Sequence, residues 1–356
     1  MSGVTSFPEL SLRHRPELFA ALIAHAFDEE IVEARFGERR GWIILDPTDA
    51  RKLLRRRDLP KARSLASREQ AGGYPALRGI DFHRGRREAV VALAHASADT
   101  AAMSASLAAT MGAVLPPRKD APASFPRWML HDLAGGNSTP IEVGTIIAGI
   151  AAATAAVEAA QHGTSVQPEA RDARAALVSV LAERVDNGDT EFLRPLRQNG
   201  WQTPRIVEEL MGLALAGWES TAAAVTSASA LGLGAAPRAA ESAELLRLYP
   251  PSWLIVRELT GDEEWGSAGE LAVVSPWLLH RSSAWHDSQR FDPQRVDAVA
   301  ALPFGAGPRR CPADLYARTQ ITVALGMFGG GPPQPAQPAL IGRRSAALVP
   351  DSEMMQ

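Results

Sequence analysis

The chain of 356 residues has one cysteine, no marked excess of either charge sign and no strongly hydrophobic run of membrane-spanning length. A single cysteine excludes an intramolecular disulfide and any zinc site built from several thiolates, which suits a reducing cytoplasm. With 37 Lys and Arg against 40 Asp and Glu, a net charge of -3 and a pI near 6.3, there is no basic field to draw nucleic acid. Met1 to Arg15 has no apolar core of the kind a signal peptide or membrane anchor requires. The longest apolar stretch, Val143 to Val157, is mostly Ala, Gly and Thr, so it reads as a buried or lid-forming helix and not as a span. These absences point to a cytoplasmic protein with a small-molecule or protein partner, engaging neither nucleic acid nor membrane.

What is present is helical. Ala, Leu, Glu and Arg dominate Glu88 to Ala108, Ala148 to Gln161, Ala170 to Val185 and Ile206 to Ala230, all with helical composition and periodicity. Strand-like runs are short: Gly41 to Leu45, Trp253 to Leu259 and Leu271 to Val274. Proline and glycine mark borders without forming a long linker, and there is no internal repeat. The expectation is one domain over residues 1–356, mainly α with a minor β component.

The most informative stretch is Phe304-Gly-Ala-Gly-Pro-Arg-Arg-Cys311-Pro-Ala-Asp314. Gly305 and Gly307 open backbone conformations closed to other residues, so the loop can turn tightly. Pro312 suits the first position of a helix, with Asp314 in its first turn, which would set Cys311 at a helix N-terminus. There the helix dipole and unpaired N–H groups favour thiolate over thiol. Arg309 can reach an anionic group from the same loop. A lone cysteine is otherwise a small buried apolar residue, and that reading stays open on the residues alone.

Aromatic, glycine, basic residue and cysteine at these offsets resemble the heme-binding loop of the cytochrome P450 family, Phe-x-x-Gly-x-Arg/His-x-Cys-x-Gly, with Ala313 replacing the last Gly. Further segments resemble the family in order. Glu244-Leu-Leu-Arg247 before Tyr249-Pro-Pro is similar to its Glu-x-x-Arg helix, and Phe291-Asp-Pro-Gln-Arg295 to the segment completing a structural Glu-Arg-Arg cluster. By spacing alone Glu244 and Arg247 share a helix face, an arrangement worth only about 0.2–0.5 kcal/mol when exposed. Ala216-Gly-Trp-Glu219-Ser220-Thr221 resembles the segment of the long helix crossing the distal heme face, with Ser220 in place of the usual threonine. Thr221 points about 100° away and is a less apt substitute. His83-Arg-Gly-Arg-Arg87 resembles the family's His-x-x-x-Arg element, and Arg257 another ligand of the heme propionates.

The resemblance spans roughly Gly41 to Met327 and implies a cytochrome P450 fold binding heme b (iron protoporphyrin IX) with Cys311 as proximal iron ligand. It places His83, Arg87, Ala216, Arg257, Phe304, Gly305 and Arg309 at the cofactor, with Glu219 and Ser220 delivering protons. Leu215, Ala216, Trp253 and Ile255 would face a hydrophobic substrate, a terpenoid or another intermediate of bacterial specialised metabolism. Dioxygen and a separate ferredoxin or flavodoxin with its reductase are the implied co-substrate and electron source. Three alternatives stay open: a peroxide-driven or non-oxygenating heme-thiolate enzyme, a heme-binding sensor or catalytically silent homologue, and a heme-free helical protein, which would make four ordered matches a coincidence. A short Ser220 to Glu244 gap, a compressed Ala123 to Ala170 region and a brief tail after Met327 imply trimmed helices around the lid.

Overall fold

Period-two alternation of apolar residues builds a small sheet with a core on each face. The computed structural model describes residues 30–36, 39–59, 79–112, 115, 120–136, 139–162, 167–234, 239–296, 300–341 and 345–351. They fall into two compact units, one from residues 1–63, 223–311 and 330–356, the other from residues 64–222 and 312–329.

In the first unit β1 (Ile31–Phe36) pairs antiparallel with β2 (Arg39–Ile44), β2 runs parallel to β4 (Leu271–Val274), and β3 (Ile255–Glu258) pairs antiparallel with β4. The order is β1-β2-β4-β3. Val32, Ala34, Ile43, Leu271 and Val273 pack with Trp253, Trp277 and Leu278, while Ile44, Ala272 and Val274 pack with Ala50, Leu53, Leu54 and Leu59. Successive residues thus serve opposite cores, as a pleated strand requires. The second core is closed by α1 (Pro47–Arg55): Asp46 accepts from Asp49 N, Pro47 occupies the first turn, and Ala50, Leu53 and Leu54 form the buried stripe. A separate hairpin, β5 (Ala336–Ile341) with β6 (Ser345–Pro350), is anchored where Leu348 N donates to Ser227 Oγ at 2.8 Å.

Three of these strands lie where the sequence suggested, β4 with the same ends and β2 and β3 with shifted ones. β1, β5 and β6 were not expected: β5 is interrupted by Pro338, whereas β1 does carry a period-two signal, Val32-Glu33-Ala34-Arg35-Phe36, that the sequence reading passed over.

Helices make up the second unit: α2 (Gly79–Ala98), α3 (Thr100–Met111), α4 (Ala121–Ala134), α5 (Pro140–His162), α6 (Pro168–Asn187), α7 (Leu193–Gln198), the first part of α8 (Thr203–Ala230), and α11 (Asp314–Phe328). The first unit adds α9 (Ala239–Leu248) and α10 (Pro276–Leu279). The segment expected as one helix over Glu88 to Ala108 is two. Asp99 leaves helical geometry and its carboxylate accepts from Ala102 N at 2.8 Å, starting α3 afresh. The region from Ala123 to Ala170 carries α4 and α5, of 14 and 23 residues. α5 lies close against α6 because Gly149 has no side chain; a Cβ there would stand 2.4 Å from that of Leu177. Among the described residues no helix is long and apolar enough to cross a membrane.

Candidate active site

The cysteine loop of the first unit is shaped by two glycines. Gly305 (φ 68°) and Gly307 (φ 70°) both adopt left-handed geometry, which costs other residues roughly 1–2 kcal/mol. At Gly307 space is also limiting: a Cβ would stand 2.3 Å from Leu54 O and 2.7 Å from Arg55 Cα at the end of α1. Gly305 N donates to Leu302 O and Cys311 N to Phe304 O, each at 2.9 Å, so the loop closes on itself. Phe304 and Cys311 are half-buried, and Cys311 is in no disulfide. The helix expected to begin at Pro312 begins at Asp314; Pro312 and Ala313 form a turn, to which the fixed φ of proline is equally suited. Cys311 therefore precedes the helix by one turn of irregular chain.

Beside this loop stands β3. The Ile255 methyl is 3.3 Å from where a Gly305 side chain would begin, which makes that glycine a point of close approach between strand and loop. Arg257, two residues on, is buried and donates through Nη1 to Val256 O at 3.0 Å. Arg309 is half-buried, and desolvation lowers its guanidinium pKa from the ordinary value. Trp253 is buried in the core beneath one sheet face.

Behind the loop Glu244, Arg247 and Arg295 come together as the sequence suggested, but the Glu244–Arg247 pair is not the weak exposed one that spacing alone allowed. Glu244 and Arg247 are 5% and 2% exposed. Glu244 accepts from Arg247 Nε (2.7 Å) and Nη2 (2.8 Å), from Arg295 Nε (3.2 Å) and from Asp292 N (3.0 Å). The second positive charge is spread over backbone carbonyls: Arg247 reaches His280 O and Ser288 O, and Arg295 reaches His286 O, Asp287 O and Arg290 O. This satisfies a buried triad that would otherwise be costly.

The sequence reading missed His280. It is fully buried, and its Nδ1 donates to Arg247 O while Nε2 accepts from Leu302 N, both at 2.8 Å. One ring therefore ties the triad to the residue where the cysteine loop begins. Burial, reinforced by Arg247 and Arg281, depresses its pKa to about 3, which keeps the single tautomer that both bonds require. No periodicity announces such a residue, only a lone histidine ending the four-residue α10.

In the second unit the acid–hydroxyl pair lies on α8. Leu213, Ala216, Gly217 and Ser220, at helical spacing, form its least buried face, and Ala216 is exposed. Leu215 and Glu219 share another face and are 5% and 3% exposed. Ser220 Oγ donates to Gly217 O at 3.0 Å, and buried Thr221 donates to Gln320 Oε1 at 3.2 Å. Gly217 admits Met129, whose Cε would be 2.6 Å from a Cβ there. On α2, Arg87 is exposed; the side chain of His83 lies outside the described residues.

Residues 242–328 match the family model described as Cytochrome P450. Cyclooctatin synthase of Streptomyces melanosporofaciens is 33% identical over 167 residues, 35% of this chain and 36% of that protein. Pentalenene oxygenase of Streptomyces avermitilis is 39% identical over 95 residues, 23% of this chain and 21% of that protein. The chain thus matches between about a fifth and little more than a third of the length of these curated relatives. In fold it is similar to a six-coordinated cytochrome P450 from Thermus thermophilus, with TM-score 0.66 and 20% identity over 96% of this chain and 100% of that one. It is also similar to CxnD, a cytochrome P450 for C–S bond formation in chuangxinmycin biosynthesis, with TM-score 0.68 and 14% identity over 93% and 92%.

Proposed function

Because this chain belongs to the cytochrome P450 family, by sequence over residues 242–328 and by fold over nearly its whole length, we propose that it is a heme-thiolate monooxygenase hydroxylating a hydrophobic small molecule. Heme b, when bound, supplies the activation of dioxygen and the oxidising power. The observation that carries this reading is the loop around Cys311. Its backbone bond to Phe304 O, its two left-handed glycines and a half-buried cysteine just ahead of a helix suit a lone thiolate that would hold the heme iron.

Each of the chain's own residues then has a task. Cys311 would hold the iron through its thiolate and supply electron density to it, and Phe304 and Gly305 would line the cofactor beside it. Arg257 and Arg309 would answer the propionate charges, and the family resemblance suggests the same role for His83 and Arg87. Arg257 and Arg309 are suited to it by their burial, since a desolvated guanidinium gains most from an anion. Glu244, Arg247 and Arg295 hold the scaffold behind the loop. On α8 the exposed methyl of Ala216 leaves room beside Ser220, which holds a proton on Oγ and passes it on, while Glu219 resupplies it. Ala216 and Ile255 would offer apolar surface to the substrate, whereas Leu215 and Trp253, expected beside them, are buried and would act from behind. The relatives whose names denote oxygenation, such as pentalenene oxygenase, support a terpenoid of bacterial specialised metabolism. Dioxygen and electrons from a separate ferredoxin or flavodoxin with its reductase, in the cytoplasm, complete the proposal.

The test is the optical spectrum of the reduced holoprotein under carbon monoxide. The long-wavelength Soret band of a thiolate-ligated carbonyl complex is expected, and it is lost in Cys311→Ala. A colourless protein after heme loading, or an unchanged band in Cys311→Ala, refutes the reading.

A further inference from the structure

Four side chains of the second unit are joined end to end. Thr221 Oγ1 donates to Gln320 Oε1 at 3.2 Å, Gln320 Nε2 donates to Tyr316 Oη at 3.4 Å, and Tyr316 Oη donates to Asp132 Oδ2 at 2.5 Å. The chain links three helices: α8 through Thr221, α11 through Gln320 and Tyr316 four residues apart on one face, and α4 through Asp132. Thr221 is 3% exposed, and Gln320 and Tyr316 1% each.

The chain has a direction. An ionised carboxylate can only accept, so Tyr316 must donate to Asp132 and accept from elsewhere. The Gln320 amide meets it with its NH2, which turns the amide oxygen toward α8 and requires a donor there. Thr221 supplies that donor, so its proton is committed to Gln320. Rotating α8 by one residue, about 100°, would strand the buried Gln320 oxygen without a donor.

On the same helix Ser220 shares the least buried face with Leu213, Ala216 and Gly217. We infer that Thr221, Gln320, Tyr316 and Asp132 are positioning residues for Ser220: their buried chain fixes the rotation of α8 about its axis and makes Ser220 the hydroxyl presented on the open face. The inference rests on the role given to Ser220 above. It also explains why two adjacent hydroxyls on this helix are not interchangeable.

The test uses the heme-loaded full chain with carbon monoxide as probe, reading the C–O stretching band of the reduced complex. Thr221→Val keeps the shape of the side chain and removes the donor, whereas Thr221→Ser keeps the donor. The expected result is a single band in the wild type and in Thr221→Ser, and a band split between two environments in Thr221→Val. Because the effect passes through Ser220, it disappears when Thr221→Val is made in a Ser220→Ala background. Tyr316→Phe, which breaks the chain at its other end, is expected to split the band likewise and serves if Thr221→Val does not fold.

An unsplit band in Thr221→Val and Tyr316→Phe overturns the inference, and so does a split that persists unchanged without the Ser220 hydroxyl. In those cases a wild-type Soret band at the thiolate position leaves the heme reading standing. Absence of that Soret band in the wild type refutes the heme reading, and this inference with it.

Discussion

Asp132→Asn is expected to stabilise the protein at alkaline pH and to leave it unaltered in acid. Asp132 lies beside Tyr316, and burial raises its pKa from 3.8 to about 6, against the opposing pull of the tyrosine hydrogen bond. A carboxyl whose pKa is higher in the fold than in the unfolded chain is proton-loving when folded. Its contribution is most favourable below pH 3.8 and declines as pH rises through 6. The difference between the two pKa values amounts to about 3 kcal/mol of destabilisation at pH 8, about 1.5 kcal/mol at pH 5 and none in stronger acid. Asparagine keeps an oxygen to accept from Tyr316 and carries no charge, so the variant should gain up to about 3 kcal/mol at pH 8. Urea midpoints of both proteins, taken at intervals from pH 5 to pH 8, give the difference curve, and other titrating groups cancel in it. The variant's advantage should grow with pH across this window. A difference that stays flat from pH 5 to pH 8 would show that Asp132 does not titrate as its burial requires.

Three further outcomes follow from the cysteine loop and its support. Glu244→Ala leaves Arg247 and Arg295 without their carboxylate in a buried setting and is expected to cost about 3–5 kcal/mol in denaturant titration; a loss below about 1 kcal/mol would mean that the backbone carbonyls alone satisfy both cations. Gly307→Ala drives a methyl into the carbonyl of Leu54 and forces left-handed geometry on alanine, so heme retention on a desalting column should fall while the far-ultraviolet dichroism stays near wild type; undiminished retention would count against the loop's role. His280→Phe removes both the bond to Arg247 O and the bond from Leu302 N and should lower stability at pH 7 by about 2–4 kcal/mol, read from the thermal midpoint, through two buried groups left unsatisfied; an unchanged midpoint would show that the ring only fills space.

The α8 geometry also bears on how serine replaces threonine. Ser220 lacks the methyl that restricts a threonine rotamer, and its hydroxyl bonds back to Gly217 O within its own helix. That local bond and the Thr221 anchor together restrict a side chain that would otherwise be free to turn.

Local chemistry was enough to determine a good deal. The glycines at 305 and 307 announce a tight loop before Cys311, and both are left-handed in the fold because no other residue takes that geometry at so little cost. The spacing of Glu244 and Arg247 sets them on one helix face, and the Ala-rich periodicity of Ile206 to Ala230 lies within one long helix. Tertiary structure decided the rest. Spacing gives direction and not environment, so it could not tell that Glu244 and Arg247 are buried, or that Arg295, some fifty residues on, reaches the same carboxylate. Nor does any pattern in the sequence connect Asp132 to Tyr316 and Gln320, or His280 to Leu302. These are single side chains from distant segments whose partners exist only once the helices and loops have packed, and each bond has its value because packing has first removed the water that would have competed for it.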